Sequence, residues 1–169
     1  IPKEYIGPVD QGIQAALFYT LVYVIMAAGS FGFLVLLSSR GEEVEELEDL
    51  RGLWQRSPWF ALMMVLLMAS MIGVPPLAGF YAKWWVLSAL LEADYVGLAL
   101  VALVASVIGA YYYLRVIRLM LFDDGGQASA AGMPLDVRVV LSVNVLLLVL
   151  IGLLPDRLLE LCARAAALI

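Results

Sequence analysis

The sequence 71-MIGVPPLAGFYAKWWVLSALL-91 decides the fold of this chain, because it interrupts a long apolar run with two prolines and one lysine. The run extends from Ser57 to Leu91, 35 residues, and Lys83 is its only charged residue. As one straight helix it would measure roughly 52 Å and exceed the ~30 Å hydrocarbon core of a bilayer by about 20 Å. Pro75 and Pro76 remove two backbone donors and disfavour helical geometry in the residue before them. The sequence therefore predicts two helices here, divided at the prolines.

The composition of the whole chain is that of an integral membrane protein. Of its 169 residues 64% are hydrophobic and 15% charged, and the mean hydropathy is +0.97, far from the values of a soluble domain. The first residues, IPKEYIGPVDQG, have neither the basic start nor the small-residue cleavage site of a signal peptide. We therefore expect the C-terminal piece of a longer chain.

Uncharged runs predict an all-α membrane domain with about five transmembrane helices, the third short and interrupted. The predicted spans are 13–37, 57–74, 77–93, 95–122 and 136–154. An acidic extramembrane loop is expected at 38–56 and a second loop, rich in glycine and acidic residues, at 123–135. The tail after Leu154 fits either an interfacial helix or a simple helix end.

Several kinds of chemistry are disfavoured by the residue inventory. Cys162 is the single cysteine and there is no histidine, so an internal disulfide, an iron–sulfur cluster, haem and zinc are not expected. The net charge of −5 is concentrated in the acidic loop and provides no basic surface for nucleic acid. The loop also lacks the ligand spacing of a calcium site. Any redox chemistry should take place on other chains.

Lys83 is the candidate functional residue. It lies nine residues before Glu92, which places it about 13 Å below that helix end, deeper than its ~6 Å side chain can span. A charge at that depth costs roughly 3 kcal/mol and needs water, a partner or deprotonation. Because burial disfavours the charged form of an amine, the position suits a group that binds and releases a proton. The alternatives are a static ion pair with a carboxylate on a neighbouring subunit, and a shallower helix.

The residues before Lys83 favour a broken helix. Pro75, Pro76 and Gly79 lie within one helical length of the lysine and weaken the helix there. Broken helices at mid-membrane mark ion paths in transporters. A plain helix boundary at the prolines is the simpler alternative, but it leaves the lysine unexplained.

Hydroxyl side chains form a weaker candidate polar path. In the spans they could bond neighbouring helices, line such a path or belong to an interfacial aromatic belt. They are Tyr19, Tyr23 and Ser30 in the first span, and Ser106, Tyr112 and Tyr113 in the fourth.

Three motifs at these spacings carry a family resemblance. They are DLRGL followed by RSP, GVPPLAGFYAK, and AYYYLRV. Together they resemble the C-terminal region of the subunit N family. Its members are antiporter-like membrane subunits of bacterial NADH:quinone oxidoreductase (respiratory complex I). The resemblance covers about residues 16–122 and is weak in the last span.

The resemblance implies a fourteen-helix subunit made of two inverted five-helix repeats, each with a discontinuous helix that carries a lysine. Lys83 matches the lysine of the second repeat, which is assigned to proton translocation, and its partner carboxylate is expected outside this chain. No cofactor is implied on this chain; flavin, iron–sulfur clusters and quinone belong to other subunits. The implied partners are the remaining N-terminal helices of the same subunit, neighbouring membrane-arm subunits and the lipid bilayer of the bacterial inner membrane.

The sequence leaves alternatives for the orientation of the chain in the membrane and for its function. With five spans, lysine and arginine divide four against five between the two sides, which decides nothing. The family's topology would then place the acidic loop on the periplasmic side. A subunit of a cation/proton antiporter and a passive assembly scaffold are the rival functions.

Overall fold

The computed structural model describes residues 8–38, 46–126 and 134–168. These residues form a 3₁₀ turn at Leu47–Leu50 and seven helices: α1 (Pro8–Ser38), α2 (Leu53–Arg56), α3 (Pro58–Ile72), α4 (Ala78–Glu92), α5 (Val96–Phe122), α6 (Leu135–Leu153) and α7 (Pro155–Ala166). The all-α fold predicted from the sequence is confirmed for this part of the chain.

Among the described residues, three helices are long and apolar enough to cross a membrane by themselves. Their apolar stretches are Gln11–Leu37, Val96–Phe122 and Leu135–Leu153. Helices α3 and α4 have 15 residues each, which corresponds to about 22 Å and falls short of the ~30 Å hydrocarbon core. Neither of these two helices can complete a crossing alone.

Helices α3 and α4 follow one another along α1 and together make one crossing. At one end of α1, the rings of Phe33 and Phe60 lie 6.0 Å apart. At the other end, Gln11 shares a cavity with Glu92 at the last turn of α4. The sequence predicted 57–74 and 77–93 as separate crossings; the structure instead makes them two halves of one discontinuous helix.

The remaining crossings alternate in direction, so the described residues make four crossings where the sequence predicted about five. The N–H of Gly52 donates to the carbonyl of Leu119 (3.1 Å), so α5 ends beside the segment that precedes α3. Asp136, at the start of α6, lies near Leu36 at the end of α1. Helix α6 therefore returns to the side where α1 begins.

The two predicted loops are partly helical or partly outside the described residues. Within 38–56, residues 39–45 lie outside, whereas Leu47–Leu50 and Leu53–Arg56 form helical turns. Within 123–135, residues 127–133 lie outside, and Leu135 already begins α6. The side-chain amide of Gln55 donates to the carboxylate of Asp124 (2.8 Å), which joins the two segments.

The tail forms a separate amphipathic helix, α7, with Pro155 in its first turn. Cys162 and Ala166 are buried, while Asp156, Arg157 and Glu160 are exposed. The side-chain amide of Gln14 donates to the carbonyl of Leu159 (3.0 Å) and ties α7 to the start of α1. Of the two alternatives for the tail, the structure therefore favours the distinct helix. The burial of Cys162 raises the pKa of its thiol.

Helices α1, α3 and α6 supply most of the core, with contributions from Leu50, Leu53 and Met120, whereas most of α5 faces outward. The largest fully buried side chains are Phe18, Phe33, Leu50, Leu53, Leu67, Met120 and Leu148. Along α5, Val101 is 68% exposed and Val107 is 65% exposed. Such an apolar outer surface suits contact with lipid or with further membrane helices.

Candidate functional site

The break between α3 and α4 leaves backbone carbonyls available in the middle of the bundle. Gly73 ends α3 in the left-handed region (φ +93°), and its N–H donates to the carbonyls of Ala69 and Ser70. The N–H of Val74 donates to Ala69 as well. These bonds close the last turn of α3 but do not involve the carbonyls of Met71 and Ile72, which need another donor.

Lys83 supplies that donor. Its Nζ donates to the carbonyl of Met71 (2.9 Å), the carbonyl of Ile72 (2.9 Å) and the Oγ of Ser106 on α5 (2.7 Å). An ammonium group has three N–H donors, so this arrangement occupies all of them. The half-buried side chain thus caps the C-terminal end of α3 and links the two half-helices to α5.

The electrostatic partner of Lys83 is a helix end. The C-terminus of a helix has roughly half an elementary negative charge, carried by its unpaired carbonyls. Among the described residues the salt bridges are Arg115–Glu48 (3.4 Å) and Arg118–Asp123 (4.0 Å), and no carboxylate lies within such a distance of Lys83. The carboxylate expected from the sequence is therefore not supplied by the described residues.

Ser70 and Gly79 bring the two half-helices into contact. The N–H of Gly79, in the first turn of α4, donates to the Oγ of Ser70 (3.2 Å), a serine with no exposed surface. A Cβ atom on Gly79 would overlap the carbonyl oxygen of Ser70 and lie 2.7 Å from its carbonyl carbon. Only glycine fits there. Ser70 was not among the residues predicted from the sequence; the available signal was its position as the hydroxyl residue in the last turn before the break.

The other residues singled out from the sequence lie at different distances from Lys83. The buried hydroxyl of Ser30 on α1 donates to the Sδ of Met71 (3.7 Å), next to the carbonyl that Lys83 binds. Pro75 and Pro76 lie within the break. Of the predicted hydroxyls, the structure thus brings Ser106 onto the lysine, and Ser30 onto the side chain of Met71, whose carbonyl the lysine binds.

The tyrosines form a separate group. The rings of Tyr19 and Tyr23 stack along α1 with centroids 6.0 Å apart, and the phenol of Tyr113 lies within electrostatic range of both. Tyr112 is exposed, and its ring meets Tyr111 edge to face at 5.6 Å. The Lys83 hydrogen bonds among the described residues do not include these phenols.

A polar cavity of about 670 Å³ lies on the opposite side of α4, between the start of α1 and α7. On α4 it is lined by Trp85, Ser88, Ala89 and Glu92. At about 100° per residue these positions are centred roughly 180° from Lys83 around the helix. The cavity and the lysine therefore face different parts of the bundle. The described residues contain no cluster of ligands suited to a metal ion.

Comparison with known proteins places this chain in a family of membrane subunits. Residues 6–109 match the family model described as "NADH:quinone oxidoreductase/Mrp antiporter, TM". NADH-quinone oxidoreductase subunit N of Methylovorus glucosotrophus is 50% identical over 154 residues, which are 91% of this chain and 32% of that protein. Subunit N of Thioalkalivibrio sulfidiphilus is 51% identical over 155 residues, 92% of this chain and 32% of its own length.

Two solved structures have the same fold. Respiratory complex I from Thermus thermophilus with bound Aureothin contains a chain that is 33% identical, with a TM-score of 0.75 over 88% of this chain and 34% of that one. The Mrp complex from Dietzia sp. has a TM-score of 0.80 at 24% identity, over 96% of this chain and 38% of the other. The chain spans about a third of the length of these relatives.

Proposed function

This chain belongs to the NADH:quinone oxidoreductase/Mrp antiporter transmembrane family, and on that basis we propose that it forms part of a proton-translocating membrane-arm subunit of NADH:quinone oxidoreductase. Relatives at 50% identity named subunit N of that enzyme support this assignment over an antiporter subunit, because the likeness to the Mrp complex, at 24% identity, extends to the fold alone. In this proposal Lys83 is the group that takes up and releases the proton.

One observation carries the proposal: the amino group of Lys83 is bound at a helix break by two carbonyls and a hydroxyl. A lysine in a full ion pair would be held strongly in its charged form. A helix end offers a partial charge instead, so a modest change in the surrounding field suffices to move the proton. The coupling would be electrostatic: a charge change on a neighbouring subunit alters the proton affinity of Lys83, which then passes its proton on.

The proposal assigns no cofactor to this chain. Flavin, iron–sulfur clusters and quinone would belong to other subunits, and electron transfer would drive Lys83 from a distance. The partners would be the other helices of the same subunit and the neighbouring subunits of the membrane arm, in agreement with the multisubunit complexes in which the structural relatives occur. The location would be the bacterial inner membrane.

The four crossings also suggest which side faces the cytoplasm. Among the described residues, the side where α1 ends and α5 ends carries five arginines and the opposite side carries two. They are Arg51, Arg56, Arg115, Arg118 and Arg138 against Arg157 and Arg164. Because basic residues accumulate in cytoplasmic segments, the acidic loop would be cytoplasmic. This is opposite to the periplasmic side that the family's topology implied for five spans.

The test is Lys83→Met in the full-length subunit within the assembled complex. NADH oxidation and proton uptake into inverted membrane vesicles would be measured together, with the amount of assembled complex as a reference. Pumping per NADH oxidised should fall, because methionine fills the space but carries no proton. Arg118→Met is the matched control: it removes the same charge from an exposed helix end and should pump normally.

The other outcomes separate the rival functions. Normal pumping by Lys83→Met in a normally assembled complex would refute the relay role. Loss of assembly alone would favour a scaffold. Lysine-dependent sodium transport without NADH would favour a cation/proton antiporter.

A further inference from the structure

The hydroxyl of Ser106 differs from the other partners of Lys83 in what it can do. The carbonyls of Met71 and Ile72 can only accept a hydrogen bond, whereas a hydroxyl can accept or donate. In the structure the three partners receive one N–H each, at 2.9, 2.9 and 2.7 Å. This arrangement fits the charged amino group, which has three donors and no acceptor.

A neutral amine presents a different pattern to the same three partners. It has two N–H donors and one lone pair. Both carbonyls still need a donor, so the two N–H groups remain on Met71 and Ile72. The nitrogen lone pair then points toward Ser106. The Ser106 hydroxyl can rotate and donate its own hydrogen to that lone pair.

The Ser106 hydroxyl is free to turn in this way. Serine and threonine in helices often donate to the carbonyl four residues earlier, as Thr20 does to Ala16 (2.8 Å) and Ser142 to Arg138 (2.6 Å). Among the described residues Ser106 makes no such bond and accepts from Lys83 instead. Its hydrogen is therefore not committed to its own helix.

We propose that Ser106 is a positioning residue that serves both protonation states of Lys83, as acceptor to the ammonium and as donor to the amine. Ser106 keeps its own proton throughout and only rotates its hydroxyl, while both carbonyl bonds stay in place. Lys83 therefore remains at the break when it gains or loses a proton. The inference rests on the proposed role of Lys83 and names the residue that makes this change of charge reversible.

The other ionisable side chains near this part of the bundle do not provide that function. Helix α3 has none, and none of those on the elements around the lysine is hydrogen-bonded to it among the described residues. They are Tyr81 and Glu92 on α4, Tyr19 and Tyr23 on α1, Tyr111, Tyr112, Tyr113, Arg115 and Arg118 on α5, and Asp136 and Arg138 on α6.

The test compares Ser106→Ala, Ser106→Thr and Ser142→Ala in the assembled complex. NADH-driven proton pumping in inverted vesicles would be recorded as a function of pH. Hydrogen bonds to a charged donor are roughly twice as strong as neutral ones, so loss of the hydroxyl penalises the charged lysine more than the neutral one. In Ser106→Ala the alkaline limit of pumping should move to lower pH by about one unit, a tenfold change in the proton concentration required.

The controls separate positioning from general packing. Ser106→Thr keeps the hydroxyl and should retain the native pH profile. Ser142→Ala removes a hydroxyl of a spanning helix that bonds only its own backbone in the structure, and should leave the profile unchanged. If Ser106→Ala does not assemble, Ser106→Cys replaces it in the test, because a thiol is similar in size to a hydroxyl but is a weak hydrogen-bonding group. The alkaline limit of pumping should then move in the same direction.

A pH profile that stays at the native position in Ser106→Ala, or in Ser106→Cys where the alanine variant does not assemble, would overturn the inference, whether or not the amplitude of pumping falls. If Lys83→Met abolishes pumping at the same time, only the role of Ser106 fails. If Lys83→Met pumps normally, the proposed function itself fails.

Discussion

Replacement of Gly79 by alanine should separate the two half-helices and weaken the site. The added Cβ would overlap the carbonyl oxygen of Ser70 and lie 2.7 Å from its carbonyl carbon. Carbon atoms at rest lie about 3.5–4.0 Å apart, so the start of α4 would have to withdraw from α3 by roughly 1 Å. A backbone carbonyl cannot rotate away as a flexible side chain can, and the helix itself must move.

The cost follows from the bonds that cross this contact. Lys83 lies 2.9 Å from the carbonyls of both Met71 and Ile72, and a withdrawal of about 1 Å would stretch both bonds beyond hydrogen-bonding distance. Each bond to a charged donor contributes about 1.5–3 kcal/mol. The better helix propensity of alanine offsets about 1 kcal/mol of this loss. The net destabilisation of the break should therefore be about 2–5 kcal/mol.

The assay is the thermal stability of the assembled complex together with proton pumping per NADH oxidised. Gly97→Ala is the matched control, because Gly97 also lies in the first turn of a helix and a Cβ there meets nothing within 4 Å. Gly79→Ala should lower both measures, while Gly97→Ala should leave them unchanged or slightly raise stability. Equal stability and equal pumping in the two variants would refute the close contact of α3 and α4.

Two further predictions concern sidedness and the single cysteine. In a cysteine-depleted background, Asp124→Cys should react with a membrane-impermeant maleimide from the cytoplasmic side and Arg157→Cys from the other side; the reverse pattern would contradict the proposed orientation. The thiol of Cys162 is buried and its pKa is raised by that burial, so less thiolate is present near neutral pH and alkylation should be slow and should accelerate with rising pH. Leu161→Cys with Cys162→Ser places the thiol on the exposed face at 60% exposure and should react faster; equal rates would show that α7 does not pack as described.

The sequence predicted the helix break but not how its two halves are arranged. The prolines and the uncharged run located the division, yet the predicted spans of 57–74 and 77–93 were each slightly too long. Gly73 adopts a left-handed conformation and Leu77 is still extended, which shortens both helices to 15 residues. Each helix is therefore about 22 Å long, whereas the predicted spans, at about 27 and 26 Å, were only slightly shorter than the ~30 Å hydrocarbon core. The uncharged run does not reveal this loss, because residues 73–77 carry no charge and continue the run without interruption.

The site was predictable where it depends on side-chain chemistry and not where it depends on the backbone. Lys83 was evident as the single charge in its run, and Ser106 as a hydroxyl within a span. Their contact depends on the register between α4 and α5, which local pattern does not encode. The carbonyls of Met71 and Ile72 were not predictable at all, because every residue has a carbonyl and only the end of a helix makes one available.

The backbone carbonyls that bind Lys83 help to explain why a charged side chain is tolerated at mid-membrane. Insertion of a charged residue at mid-membrane costs roughly 3 kcal/mol on translocon scales, and two bonds from a charged donor at about 1.5–3 kcal/mol each are sufficient to offset it. Among the described residues the compensation comes from about half an elementary charge at the end of α3, and none of their carboxylates forms a salt bridge with Lys83. A full opposite charge at the same distance would favour the protonated lysine more strongly and would make release of the proton harder. In the proposed function, the helix break would thus bind the ammonium strongly enough to hold it within the membrane and weakly enough for the proton to leave.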